Sequence, residues 1–301
     1  MTNPAASAGI AAARALGLTP DVLALLDRMT LPSRRPVLGE AGQRRSRRTG
    51  GSVEFADFRA YVPGDDFRRV DWNAYARHER LIVRLHSADE DVTLTLWIDA
   101  SASMVYGDPS KLRAATSLAG ALGYVALSAY DRACVASFAS TASVLTPRLR
   151  GRSATHRLWV ALAGLQGSGT TDFSAIGRAA TRTAPGIAVV ISDFLSLPGP
   201  EAALAALRGA GQEPVLVRLL SRQEVAPDLR GDLRLVDAET HATVEVTVTP
   251  ATIAAYGRRL AERTDALRSL AARHRARFVD LVSDGDIVES VRACRAAGIV
   301  R

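Results

Sequence analysis

From about residue 92 onward, apolar positions alternate between two periods along the chain. Val92, Leu94, Leu96, Trp97 and Ile98 form a short apolar run between Asp91 and Asp99, the pattern of a buried strand. After Pro109, Leu112, Ala115, Leu118, Leu122 and Val125 recur at roughly helical spacing, which predicts a long helix. Further strands are expected over 133–138, 187–191, 214–220, 233–236, 243–248 and 278–282, with a short edge strand at 143–145. Helices are expected over 155–165, 173–183 and 201–207, then along Ile253, Tyr256, Leu260, Leu267 and Leu270, and finally from Ile287 to Cys294. Regular strand–helix alternation of this kind predicts an α/β fold, a doubly wound and mainly parallel sheet with helices on both faces. No internal repeat interrupts it.

Ahead of this region the pattern is less regular. Thr19 reads as an N-cap with Pro20 at the first helical position and Leu23, Leu25 and Leu26 following, a short helix. Residues 31–50 carry prolines, glycines and charges without periodicity and read as a connector. In 54–84, Phe55, Phe58, Tyr61, Phe67, Val70, Trp72 and Tyr75 are expected to supply core material. Pro63-Gly64-Asp65-Asp66 is expected to form a turn, and Arg59, Arg68, Asp71 and Arg77 to form salt bridges. Leu81, Val83 and Leu85 alternate as in a short strand. The expected organisation is therefore an N-terminal helix and basic connector over 1–50, a strand-and-turn extension over 51–90 packed on the main domain, and that domain over 91–301.

Composition narrows the functional classes. A chain of 301 residues with 48% hydrophobic content has the material for a sizeable core. No window holds 18 consecutive apolar residues, and the alanine-rich stretch from Ala5 to Leu18 is interrupted by Arg14 with no basic residue before it, so neither a membrane span nor a signal peptide is expected. Cys134 and Cys294 lack metal-ligand spacing and are expected as reduced core residues of a cytoplasmic protein. The formal charge is +7, of which six arginines against Glu40 place +5 between Arg34 and Arg48. Basic runs mark nucleic-acid or acidic-lipid arms, but this one has no aromatic interleaving, so a solvated linker or protein-binding arm is the simpler reading. Lys111 is the sole lysine in the chain.

The candidate chemistry sits at expected strand ends. Asp99, Ser101 and Ser103 follow the first buried strand, and Asp193 ends the strand at 187–191. Gly167-Ser168-Gly169-Thr170-Thr171-Asp172 forms a glycine-bearing loop before a helix. If the strands ending at Asp99 and Asp193 are neighbours, both carboxylates share one rim, with hydroxyls of Ser101, Ser103 and Thr171 beside them. Carboxylate, hydroxyl and water suit Mg²⁺ or Mn²⁺. Such a set leaves a coordination position for an Asp or Glu from a protein partner. The simpler alternative is that Asp99 and Ser101 only cap a turn.

Asp99-x-Ser101-x-Ser103, with Thr171 and Asp193 in that order, resembles the metal-ion-dependent adhesion site of von Willebrand factor A-like domains. That resemblance implies a doubly wound sheet and an ion that completes its shell with a partner's carboxylate. A second resemblance covers nearly the whole chain from about Leu18. Glu54, Phe55, Arg59, Tyr61, Gly64, Asp65, Arg68, Asp71 and Trp72, then Ala74, Ala76 and Arg77, resemble the characteristic segment of the bacterial domain-of-unknown-function family fifty-eight. It implies a von Willebrand A-like domain often encoded beside MoxR-type AAA+ ATPases, with roles in assembly or maturation of other complexes. The family's usual threonine loop is G-G-T-D-L. Gly169-Thr170-Thr171-Asp172-Phe173 departs from it and leaves both Thr170 and Thr171 as candidates to meet the ion.

Other readings compete with an ion-dependent binding module. A Mg²⁺-dependent hydrolase would need a base or nucleophile with a partner. His78, His86, His156, His241 and His274 are scattered away from the rim in sequence, no nucleotide-binding G-x-x-x-x-G-K-[ST] loop is present, and neither serine lies in G-x-S-x-G. A metal-independent structural adaptor, or a nucleic-acid binder acting through the basic connector, completes the set.

Overall fold

A computed structural model describes residues 4–32, 54–62, 70, 72–78, 80–87 and 92–301. The basic run from Arg34 to Arg48, the expected turn at Pro63-Gly64-Asp65-Asp66, and Arg68 and Asp71 of the expected salt-bridge set lie outside the described residues. The chain divides into two compact units, one of residues 1–32 with 92–301 and one of residues 33–91.

The larger unit opens with two helices, α1 (Pro4–Ala15) and α2 (Pro20–Leu26). The expected cap is present, since Thr19 accepts a hydrogen bond from the Val22 amide. In the smaller unit, β1 (Glu54–Ala60) pairs antiparallel with β2 (Ile82–Ser87), and α3 (Trp72–His78) lies between them in sequence. Here the structure corrects the sequence reading, because 72–78 is helical and Trp72 and Tyr75 are exposed rather than core material. Ala74 and Ala76 favour helix. The two aromatic rings, three positions apart, share one face and meet edge-on with centroids 6.2 Å apart.

The remaining elements build the sheet. In order they are β3 (Thr93–Asp99), α4 (Lys111–Ser128), β4 (Arg132–Phe138), β5 (Ala142–Val144), β6 (Leu149–Arg150), α5 (Thr155–Ala163), α6 (Ser174–Ala180), β7 (Gly186–Ser192), α7 (Glu201–Gly209) and β8 (Gln212–Leu220). After these come α8 (Arg222–Val225), the strands β9 (Gly231–Val236) and β10 (Thr243–Val248), α9 (Pro250–Arg273), β11 (Arg277–Val282) and α10 (Ile287–Ala296). Seven strands form one sheet in the order β11-β8-β7-β3-β4-β5, with β6 also on β4. The pairs from β11 to β4 are parallel, and β5 and β6 run antiparallel to β4.

Alternation along the strands sends side chains to two cores. Leu94, Leu96 and Ile98 of β3 join Leu118, Leu122 and Val125 of α4, Leu158 of α5, Val291 of α10, and Leu16 and Leu26 of the N-terminal helices. On the other face Trp97 joins Phe138, Ile176 of α6, Leu204 of α7 and Leu270 of α9. Every residue of β3 is buried, as a central strand covered on both faces requires. The result is the von Willebrand A-like doubly wound architecture. Strands β9 and β10 stand apart from the sheet as their own antiparallel hairpin, and most of their residues are exposed. Cys134 and Cys294 are buried and unpaired with each other, and burial pushes the Cys294 thiol up to about 12.

Among the described residues, no single helix is long and apolar enough to cross a membrane.

Candidate functional site

Strand β3 has β4 on one side and β7 on the other, and β4 and β7 are reached by connections that leave in opposite directions. The crevice beyond the carboxyl ends of β3 and β7 is therefore the point where a doubly wound sheet binds its ligands. Asp99 ends β3, and Ser192 and Asp193 end β7. The neighbourhood required by the sequence reading is thus met by direct pairing of β3 with β7.

Past Asp99 the chain turns immediately. The Ser101 amide donates to Asp99 Oδ1 at 3.0 Å, and Ala102–Val105 forms a single 3₁₀ turn anchored by the buried Met104. The loop at 167–171 is zipped onto this turn, with the Ser168 amide on the Ala100 carbonyl (2.8 Å) and the Ala102 amide on the Gly169 carbonyl (2.9 Å). Glycine is required here. A Cβ on Gly167 would stand 2.5 Å from Val105 Cγ2 and 2.8 Å from the Ser101 carbonyl oxygen, and Gly169 holds φ +76°.

These turns gather the five residues read from the sequence. Ser101 and Ser103 Oγ lie 3.0 Å apart, Ser103 Oγ donates to Asp193 Oδ2 at 3.1 Å, and Thr171 Oγ1 stands 3.4 Å from Asp99 Oδ2. Thr170 is exposed and Thr171 half-buried, so it is Thr171 that reaches the rim. Asp99 and Ser101 form the buried floor, while Ser103 and Thr171 form the accessible side.

Four further residues complete the arrangement and were not assigned to it from the sequence. Ser192 Oγ donates to Asp99 Oδ2 at 2.6 Å and accepts from the Phe194 amide at 3.1 Å. Phe194 holds φ +53°, an unusual conformation for a bulky residue, and stacks on Phe173 with centroids 5.4 Å apart. The buried Lys111 ammonium donates to Asp193 Oδ2 at 2.6 Å and to Glu224 Oε1 at 2.5 Å. Glu239, from the loop between β9 and β10, accepts the Thr171 amide at 3.0 Å and the Thr171 hydroxyl at 2.8 Å. Because these partners lie 68 to 113 positions apart in sequence, no local spacing announced them.

The charges are unevenly matched. Asp193 and Glu224 share the Lys111 ammonium. Burial alone would push Lys111 down, but the two carboxylates more than reverse this and its affinity for a proton is raised. Asp99 has no cationic partner among the described residues. Burial raises its pKa to about 6 against the opposing hydrogen bonds from Ser192 and Ser101, and the charge on Asp193 adds to the rise. With Asp99, Asp193, Glu224 and Glu239 all ionised against one ammonium, the cluster keeps three negative charges. Two carboxylates and three hydroxyls around an uncompensated buried charge fit a hard divalent cation, with Asp99, Ser101, Ser103, Thr171 and Asp193 as the residues to hold it. Among the described residues no group of three or more His, Cys, Asp or Glu forms a conventional metal cluster.

Comparisons with known proteins find several similar chains. The solved structures that this chain is similar to include the conserved hypothetical protein BatB of Bacteroides thetaiotaomicron (16% identity, TM-score 0.44, 69% of this chain and 98% of that one). An aerotolerance-related membrane protein of Bacteroides fragilis is also similar (20% identity, TM-score 0.42, 69% and 98%). Among curated proteins, the uncharacterised protein Rv1480 of Mycobacterium tuberculosis is 30% identical over 259 residues, 82% of this chain and 74% of the relative. The model of the family described as "Protein of unknown function DUF58" matches residues 57–266, and the chain belongs to the DUF58 family.

Proposed function

We propose that this chain is a non-catalytic protein-interaction module in which Asp99, Ser101, Ser103, Thr171 and Asp193 hold Mg²⁺ or Mn²⁺, and the ion receives an Asp or Glu side chain from a partner protein. The observation that carries this reading is Asp99, a fully buried carboxylate with hydroxyl neighbours and no cation paired to it among the described residues. A buried charge without a counter-charge is costly, and a divalent ion bound among hard oxygen donors removes that cost.

Two features support the binding role over a hydrolytic one. The Ser101 and Ser103 hydroxyls engage each other and Asp193, and among the described residues no histidine hydrogen-bonds either of them. The segments following β3, β7 and β8 also carry exposed apolar side chains, Val105 and Tyr106 after β3, Leu197 after β7, and Val225 and Leu229 after β8. Exposed apolar groups around a polar centre suit a protein interface.

The partner we propose is a MoxR-type AAA+ ATPase, on the family resemblance, with the pair acting in assembly or maturation of other proteins. Affinity capture from the native lysate tests this, comparing wild type with Asp99→Ala, each with Mg²⁺ and with chelator. Capture of such an ATPase by wild type with Mg²⁺ alone is the expected result. Equal capture in all four samples would place the contact away from the ion site.

A further inference from the structure

The hairpin formed by β9 and β10 has little reason of its own to lie where it does. Of residues 231–248 all but Leu233, Glu239, Val246 and Val248 are exposed, and Leu235, Val236 and Val244 present aliphatic side chains to water. At the tip, Asp237 accepts from the Glu239 and Thr240 amides and the Thr240 hydroxyl, a closed turn that presents Glu239 outward. Glu239 is partly shielded while its immediate neighbours are exposed, because its carboxylate lies across Thr171 with one oxygen on the amide and the other on the hydroxyl.

Thr171 is on the accessible side of the candidate site, where an external carboxylate would arrive. Glu239 places one there already. The Thr171 hydroxyl that Glu239 engages also stands 3.4 Å from Asp99 Oδ2, and a second carboxylate is the group least expected there unless positive charge is to come, since like charges at close range repel. The two hydrogen bonds to Thr171 hold it against that repulsion.

We propose that Glu239 is an in-chain carboxylate occupying the seat that a partner's acidic side chain takes, so that the hairpin acts as a resident competitor. This rests on the divalent-ion reading above. With the ion bound, the Glu239 carboxylate adds to its affinity, and a partner must lift the hairpin to dock. Lifting frees the Thr171 amide and hydroxyl for the incoming carboxylate and releases the hairpin from its tether.

The test uses Mn²⁺ as probe on the full chain, comparing wild type, Glu239→Gln and, as a control on the same hairpin, Glu245→Gln. Glu239→Gln keeps the side-chain shape and an acceptor for Thr171 while removing the charge. Calorimetry is expected to give about tenfold weaker Mn²⁺ binding in Glu239→Gln and no change in Glu245→Gln, a loss comparable to one outer ligand partner. Water-proton relaxation reads the access of water to the ion, which a neutral carboxamide contests less than a carboxylate. The Mn²⁺ complex of Glu239→Gln should relax water more strongly than wild type, and millimolar acetate should reverse this in the variant but not in wild type. Mn²⁺ bound by both proteins with equal affinity and equal acetate response overturns the role of Glu239 and leaves the ion site standing. No Mn²⁺ binding by wild type overturns the ion site and this inference together.

Discussion

Lys111 is the only lysine among 38 basic residues, and it is the one placed between Asp193 and Glu224. A compact ammonium fits a buried pocket where a planar guanidinium would need more room. Lys111→Met leaves two carboxylates facing each other without a counter-charge, which is expected to cost about 3–5 kcal/mol. Thermal unfolding checks it, and a melt near wild type would mean the pair contributes little. Asp99 behaves in the opposite sense. Its native pKa, about 6, lies above the ordinary aspartate value of 3.8, so the folded state binds the proton more tightly than the unfolded state. In chelator, stability should therefore fall as pH rises from about 4 to about 6 and level off above that. Asp99→Asn should flatten this slope and make the metal-free protein more stable at pH 7 by about 2–3 kcal/mol. Denaturant titrations across that pH range decide it. Asp99, Ser101 and Ser103 were legible because they sit two residues apart after a recognisable strand. Lys111, Glu224 and Glu239 were not, since each meets its partner through folding alone.

At the scale of elements, the parallel strands were legible because both faces of β3, β7 and β8 are covered and their sequences are correspondingly apolar. The hairpin of β9 and β10 was read as strand correctly, yet nothing in its alternation showed that it stands outside the sheet. Helix α3 was missed because aromatic residues suggested buried strand, whereas Trp72 and Tyr75 lie on an exposed helical face. The glycine loop was legible as a loop, but not that it is zipped to the turn after β3. Gly167→Ala tests that zipper. Its Cβ meets the Ser101 carbonyl oxygen at 2.8 Å, backbone that has no room to give, and the expected effect is a loss of about 1–3 kcal/mol in stability with weaker Mn²⁺ binding. Unchanged melting and Mn²⁺ affinity would show that the loop does not shape the site.

For the molecule as a whole, the N-terminal helices belong to the same core as the sheet although residues 33–91 intervene in sequence. Leu16, Leu18 and Leu26 are almost completely buried with α4, and Thr30 and Arg301 exchange backbone hydrogen bonds at 3.2 and 2.8 Å. The short helix at Thr19 was legible from its cap and proline. Helix α1 was not, because a run of alanines has helical propensity without a pattern that shows what it packs on. Leu26→Ala should lower stability by about 2–5 kcal/mol in a single unfolding transition. Calorimetry showing instead a separate early transition would mean the helices fold independently of the sheet. The uncompensated Asp99 charge at the sheet's switch point is proposed to receive a divalent ion. The direct measurement is a calorimetric titration of Mn²⁺ into wild type and Asp99→Ala, with circular dichroism confirming that both are folded. Saturable binding to wild type at one site, absent from the folded variant, is the predicted result, and equal binding by the two proteins, or none by wild type, would contradict it.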